Sequence, residues 1–359
     1  MRIDRPRRIP PRFLFAAIPV ALAAAVFLSI RHGASMTFGI GETLRGLAAV
    51  AGLGEPLEPT RQAIAELRLW RALTAVLVGG ALGLSGALLQ GLLRNGLASP
   101  TILGVNAGAS LGASIGIILM GGYGPRLLLG LSERHPSVLP AAFAFLGALG
   151  VSFLVLTLAS SGGRVSVPTL LLVGIAMNTC LGGLLSAIQS LTLEDYELSR
   201  AIIAWNFGSL DDKSATHVAI LGGGLGITLL VLPFVSVELD LFRSGEEDAE
   251  AVGVNTQRVK ILAVSAAALA AAVATSVAGQ IAFVGLIVPH VMRLLVGSSH
   301  RALLPLSVLG GGLFLVGAEL AQFLVLGDRG MRPGVLMSLF GGLFFLILLL
   351  RHRRELGSW

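Results

Sequence analysis

The stretch RLWRALTAVLVGGALGLSGALLQGLLR, residues 68–94, decides the fold. Between Arg71 and Arg94 it runs 22 residues without a charge. That many helical residues at ~1.5 Å each cover roughly the ~30 Å apolar core of a bilayer. The stretch predicts a membrane-spanning helix over 72–93, with Arg68 and Arg71 as a charged collar at its entry.

The rest of the chain has the same character. Of its 359 residues 54% are hydrophobic and 13% charged, with a mean hydropathy of +0.85. Soluble domains carry about 25% charged residues. The 47 glycines suit helices packed closely through small side chains, and the alternating ten-residue segments of a β-barrel are absent. The net charge of +6 does not indicate nucleic acid, because the basic residues sit at span ends rather than along a stripe. Cys180 is the only cysteine, which excludes an internal disulfide and a cysteine-based metal cluster.

Further charge-free stretches extend from Asn95, His135, Val165, Ser214, Ile261, Ala302 and Pro333. The run 261–292 is too long for one span, and Ala278-Gly-Gln-Ile281 reads as a tight reversal, with the second helix shortened by Pro289. Arg2, Arg5, Arg7, Arg8 and Arg12 precede the first apolar run, which reads as a retained span rather than a cleaved signal. The expected architecture is an all-α membrane protein: a single transmembrane domain over 1–359, a polytopic bundle of ten helices. Its spans are expected near 13–30, 72–93, 103–121, 139–160, 169–192, 217–237, 261–279, 281–297, 303–325 and 333–350. Arginines at both ends, including Arg351, Arg353 and Arg354, place both termini in the cytoplasm by the positive-inside rule, which requires an even number of spans. Arg68 and Arg71 then face outward, and Arg94, Arg164 and segment 238–260 face the cytoplasm.

Chemistry-bearing motifs are few. A phosphate-binding P-loop needs a lysine after glycine, but the only lysines, Lys213 and Lys260, follow Asp212 and Val259. The chain is therefore expected to hold no ATP and no metal, and to catalyse no covalent reaction. The cytoplasmic segment around Gly245-Glu-Glu247 suits a short helix, with Glu246 to Glu250 at its positive end and Gly253 terminating it. Gly279, Phe283, Gly285, Pro289, His290 and Arg293 cluster around the reversal. Glu319 is a carboxylate inside a span, for which Gln322 or a loop arginine is the expected partner.

Together these stretches resemble the FecCD-type permease subunits of ATP-binding-cassette importers for iron–siderophore complexes, haem and vitamin B12. The resemblance is carried, in order and spacing, by Arg68-Leu-Trp-Arg71, Leu84-Ser-Gly-Ala-Leu-Leu-Gln-Gly-Leu-Leu-Arg-Asn95, Ala98-Ser-Pro100 and Leu103-Gly-Val-Asn-Ala-Gly-Ala109. Gly245-Glu-Glu247, Val252-Gly-Val-Asn255, Phe283-Val-Gly-Leu286 and Pro289-His290 continue it. Departures from the family pattern fall at Trp70, Gly96, Ser99, Gln280, Gln322 and Arg332-Pro-Gly334.

The resemblance implies a type II importer permease fold in the plasma (inner) membrane of a prokaryote. It implies a second permease subunit, two cytoplasmic ATPase subunits that bind ATP and magnesium, and an extracytoplasmic binding protein. It gives Arg68 and Arg71, with Arg329 or Arg332, to docking of that binding protein. Gly245, Glu246, Glu247, Ala249, Val252, Gly253 and Asn255 fall to ATPase coupling. Asn95, Leu97, Ser166 and Val167 fall to a cytoplasmic gate. The cargo expected is a ferric siderophore, with haem or vitamin B12 as alternatives. An ion-coupled secondary transporter using Glu319 or His290, and a purely structural membrane subunit, are rivals of other classes.

Overall fold

The computed structural model describes residues 9–33, 36–121, 138–162, 164–327 and 330–356. Apart from a two-residue hairpin, β1 (Ser160–Ser161) with β2 (Arg164–Val165), its regular structure is helical among the described residues.

The opening stretch lies within α3 (Pro59–Leu92), which starts at a proline suited to a first helical turn. At 34 residues it is about 51 Å long, so its first turns extend beyond any one bilayer crossing. It is the axis of the molecule, with every residue from Val78 to Leu92 buried.

Two glycine contacts make that burial possible. On α3, a Cβ at Gly79 would overlap the carbonyl of Gly311 on α13 (His300–Leu326), and a Cβ at Gly311 would overlap the Gly79 carbonyl. One turn pair further along, a Cβ at Gly86 would overlap the carbonyl of Gly285 on α12 (Val284–Val296). Lipid tails are as apolar as leucine, so close backbone approach rather than the hydrophobic effect drives such packing. The fourth helix of this core, α11 (Thr256–Ala278), is alanine-rich and buried along its length, and Ser85 Oγ donates to Ala267 O at 2.6 Å.

Around the core stand α1 (Pro11–Arg31), α4 (Val105–Met120), α5 (Val138–Leu158) and α6 (Val167–Leu191). Leu172 and Ile175 of α6 are 69% and 63% exposed, a surface that needs lipid or protein over it. A bent pair follows, α8 (Ala215–Leu229) and α9 (Leu232–Leu241), 49° apart. Pro233 in the first turn of α9 donates no hydrogen bond back to the preceding turn, which accounts for the break.

Among the described residues, six helices can cross a membrane by length and composition, or seven if the bent pair is one span. The shorter apolar helices α4 and α12, and the apolar part Pro333–Ile347 of α14 (Pro333–Leu356), overlap the other expected spans. The expected segment 217–237 falls across the bent pair and 281–297 begins ahead of α12, and length and composition do not by themselves fix the number at ten.

Three features depart from the sequence reading. The segment between the first two spans, expected as a loop, contains α2 (Ile40–Val50) and the start of α3. A further helix, α7 (Tyr196–Asn206), precedes the bent pair; Asp195 caps it, accepting from Glu197 N and Leu198 N, both at 3.1 Å. Finally, α12 is not shortened by Pro289, which lies within the helix. Its loss is at the front: Gly279 and Phe283 hold φ of 72° and 64°, so regular helix stops at Ala278 and resumes only at Val284.

Candidate functional site

The predicted gate and coupling residues meet at the Arg94 end of α3. Asn95 Oδ1 accepts from Leu97 N at 2.9 Å, a side-chain turn that leaves both residues on the surface. Ser166 caps α6, its Oγ accepting from Thr169 N at 3.4 Å, and exposes the turn ahead of Val167. The short helix α10 (Glu246–Ala251) begins after Gly245, whose φ of 139° favours glycine, and Gly253 follows it at φ 90°. Ala249 is fully buried and anchors α10, whereas Glu247 and Val252 face outward. Asn255 then caps α11, accepting from Arg258 N at 3.0 Å.

The first turns of α11 join these parts. Val165, beside the gate turn, has both backbone polar groups held by α11: its N donates to Gln257 Oε1 at 2.7 Å, and its carbonyl accepts from Lys260 Nζ at 2.8 Å. Lys260, 3% exposed, also forms an ion pair with Glu246 of α10. Thr256 Oγ1 donates to Glu250 Oε1 at 2.6 Å, a second tie to α10. A cavity of about 520 Å³ separates this assembly from the end of α3, lined by Leu92, Leu93, Arg94, Val167, Glu246 and Lys260 among others.

The sequence reading missed Lys260 and Gln257. Their signal was a spacing of three, which places both on one helix face just before an apolar run.

The broken-helix residues form a second junction. Pro289 has no N–H to give Gly285, and the Gln90 amide serves that carbonyl at 3.5 Å and Leu286 O at 3.2 Å. Arg293 Nη1 donates to Gln90 Oε1 at 3.0 Å. Arg293 therefore binds α12 to α3 beside the turn at Asn95–Leu97. His290 lies edge-on to Phe344, ring centroids 6.5 Å apart. At the break itself Gln280 donates to Ser110 Oγ and, at 3.1 Å, to Asn206 Oδ1.

At the other end of α3 the collar arginines have different surroundings. Arg68 is 9% exposed. Its guanidinium donates to the carbonyls of Ile30 at 3.0 Å, Arg31 at 3.4 Å and Met36 at 2.7 Å, and lies 5.0 Å from the centre of the Phe38 ring. It ties α1 and the following turn to α3, with little of its side chain left at the surface.

Arg71 is more open and forms ion pairs with Glu319 at 2.6 Å and Asp211 at 2.9 Å. The partner of Glu319 is thus neither Gln322 nor a loop arginine; Gln322 instead donates to Met331 O at 2.9 Å. A cavity of about 570 Å³ opens beside Arg71, Asp211, Glu319 and Arg332. Arg332 is exposed and donates to Ala204 O at 3.0 Å, while Arg329 lies outside the described residues. On the neighbouring loop, desolvation pushes the Lys213 ammonium below the usual lysine range, opposed by Asp211 and Asp212. Among the described residues no group of three His, Cys, Asp or Glu side chains is placed to hold a metal.

Known proteins share this architecture. The sequence pattern of the FecCD transport family matches residues 21–351. The cobalamin import system permease protein BtuC of Halobacterium salinarum is 37% identical over 92% of this chain and 88% of that protein. The hemin transport system permease protein HmuU of Yersinia pestis is 35% identical, covering 80% and 83%. The ferric enterobactin permease protein FepD of Escherichia coli is 35% identical, covering 82% and 84%. A solved structure, described as an inward-facing metal-chelate type ABC transporter, superposes with a TM-score of 0.76 at 25% identity, over 94% of this chain and 98% of its own.

Proposed function

The chain belongs to the FecCD transport family, and from that premise we propose that it is the membrane-spanning subunit of an ATP-driven importer that carries a ferric siderophore into the cell. It is an ABC importer permease of the metal-chelate class. The finer reading has one transmembrane domain of ten spans in a prokaryotic plasma membrane, with both termini cytoplasmic. A second permease subunit would complete the path, two ATPase subunits would bind and hydrolyse ATP-Mg, and an extracytoplasmic binding protein would deliver the cargo.

One observation supports this arrangement beyond the family. The exposed edge of α10, at Glu247 and Val252, is tied through α11 to the turn at Ser166 and Val167. A surface helix wired to a turn at the path's end is what an importer needs if a soluble motor is to move a membrane gate. The ATPase would push on α10, and the gate residues Asn95, Leu97, Ser166 and Val167 would separate by steric withdrawal. No covalent chemistry is required of the chain. At the opposite end, Arg71 and Arg332 would meet acidic residues of the binding protein. Such rim pairs add little affinity, ~0–1 kcal/mol each, but orient the encounter.

Proteoliposomes holding the chain, its ATPase and its binding protein should take up cargo only with ATP. Uptake that persists without the ATPase refutes the reading. Cobalamin, haemin and enterobactin relatives are similar to this chain to nearly equal degrees. Ferric siderophore, haem and cobalamin are therefore offered in the same assay; stimulation by either of the last two overturns the cargo assigned.

A further inference from the structure

We propose that Lys260 is a latch that makes the ATPase-facing helix α10 and the gate turn move as one body. The inference rests on the permease reading and deepens it.

Three observations carry it. First, Lys260 is almost wholly buried and spends its charge on two partners from different elements: the Glu246 carboxylate on α10 and the Val165 carbonyl next to the gate turn. A buried ammonium without a partner is strongly unfavourable, so the two contacts are hard to give up singly.

Second, the connection is doubled on each side. Gln257 takes the other backbone group of Val165, and Thr256 holds Glu250 at the far end of α10. Within about one turn of α11, four side-chain contacts bind the helix that would meet the motor and the turn that would form the gate. A hinge through one hydrogen bond would let them slip; four contacts on a helical face do not.

Third, the assembly is tight on one side and open on the other. The cavity of about 520 Å³ lies between it and Leu92, Leu93 and Arg94 at the end of α3. The α3 side is fixed by the glycine contacts to α12 and α13. Displacement of α10 would carry Val165 and Val167 into or away from that space, leaving α3 with Asn95 and Leu97 behind. The two halves of one protomer's gate would then separate along the cavity. Lys260 touches neither cargo nor nucleotide in this scheme and is a positioning residue.

The test uses the full importer in proteoliposomes. Cys180→Ser removes the sole cysteine, and Arg164→Cys carries a spin label on exposed β2, next to the gate turn. In the parent protein, ATP should change the label's mobility. Lys260→Met should abolish that change and lower cargo moved per ATP hydrolysed by about tenfold, within the range found for residues that couple sites. Lys260→Arg, which keeps donors for both partners, should restore both readouts.

An unchanged label response and transport ratio in Lys260→Met overturns the latch. If that variant is not recovered in the membrane, Glu246→Gln decides in its place: a reduced label response supports the latch and a full one overturns it. A parent complex without ATP-dependent uptake would instead refute the permease reading, so the two failures are distinguishable.

Discussion

Arg71 on α3 reaches Glu319 on α13 at 2.6 Å, across 248 positions of sequence. The Glu319 side chain is 9% exposed and that of Arg71 is 42% exposed, so the acid is buried and its counter-ion extends to the surface. The pair closes α3 onto α13 at the collar, above the Gly79–Gly311 contact that closes them lower down.

Glu319→Gln should therefore act on stability before transport. Loss of the pair should cost about 1–2 kcal/mol, between the values for exposed and fully buried pairs. A lowered melting temperature in detergent, with ATP-driven uptake within a few-fold of the parent, is the expected result. Complete loss of transport in a normally folded variant would favour an ion-coupled mechanism centred on this carboxylate.

Arg68 and Arg71 should separate experimentally despite their three-residue spacing. Arg68→Ala leaves the carbonyls of Ile30 and Met36 without their donor and should destabilise the fold by about 2 kcal/mol. The correctly folded fraction should still bind the delivery protein, whereas Arg71→Ala, which also destabilises the fold by leaving buried Glu319 without its counter-ion, should bind it more weakly even in its folded fraction. Normal stability with lost docking in Arg68→Ala would return this residue to the contact surface.

Close packing of α3 is tested by Gly86→Ala, whose new methyl would overlap the Gly285 carbonyl. Overpacking of this kind costs typically 1–3 kcal/mol. Gly150→Ala on α5, with nothing within 4 Å of the added carbon, is the control. Thermal unfolding should distinguish the two; equal melting temperatures would mean that α3 and α12 do not approach this closely.

Reversal of charge on the outward edge of α10 addresses the partner surface. Glu247→Lys changes an exposed residue with no resolved internal tie, so the permease itself should fold normally. Affinity for the ATPase should fall several-fold, corresponding to ~1 kcal/mol for a rim charge. Titration of labelled ATPase onto the purified variant measures this, and undiminished affinity would place the motor elsewhere.

The regularity of the helices was legible wherever local chemistry sets it. Apolar length marked α1, α3, α5, α6, α11 and α13, and glycine marked the break before α12 and the ends of α10. Apolar length as a signal failed at α2 and α7, which are short and mixed in polarity; each has an apolar face at helical period, which a search for long charge-free runs passes over. Local signals also misplaced the effect of Pro289: a proline missing one hydrogen bond reads as a helix end, but the Gln90 amide supplies the donor that Gly285 lacks. The candidate site divided in the same way. Gly245 was recognisable from capping and turn chemistry within a few residues, and Ser166 and Asn255 from the order of the family's motifs. Lys260 was not, because its partners lie 14 and 95 positions away.

The amino-acid sequence alone determined that this chain is a polytopic membrane protein and which family's motifs it carries. Those properties depend on apolar length and on residue order, both local to the chain. Only the tertiary structure decided that Arg68 is an internal brace, that Arg71 neutralises Glu319, and that Lys260 joins α10 to the turn at Val165 and Ser166. Each of these depends on which helices pack together, and that is set by the close approach of glycine backbones distant in sequence. A charged side chain has the same composition whether it is buried or exposed; packing assigns its partner and hence its role.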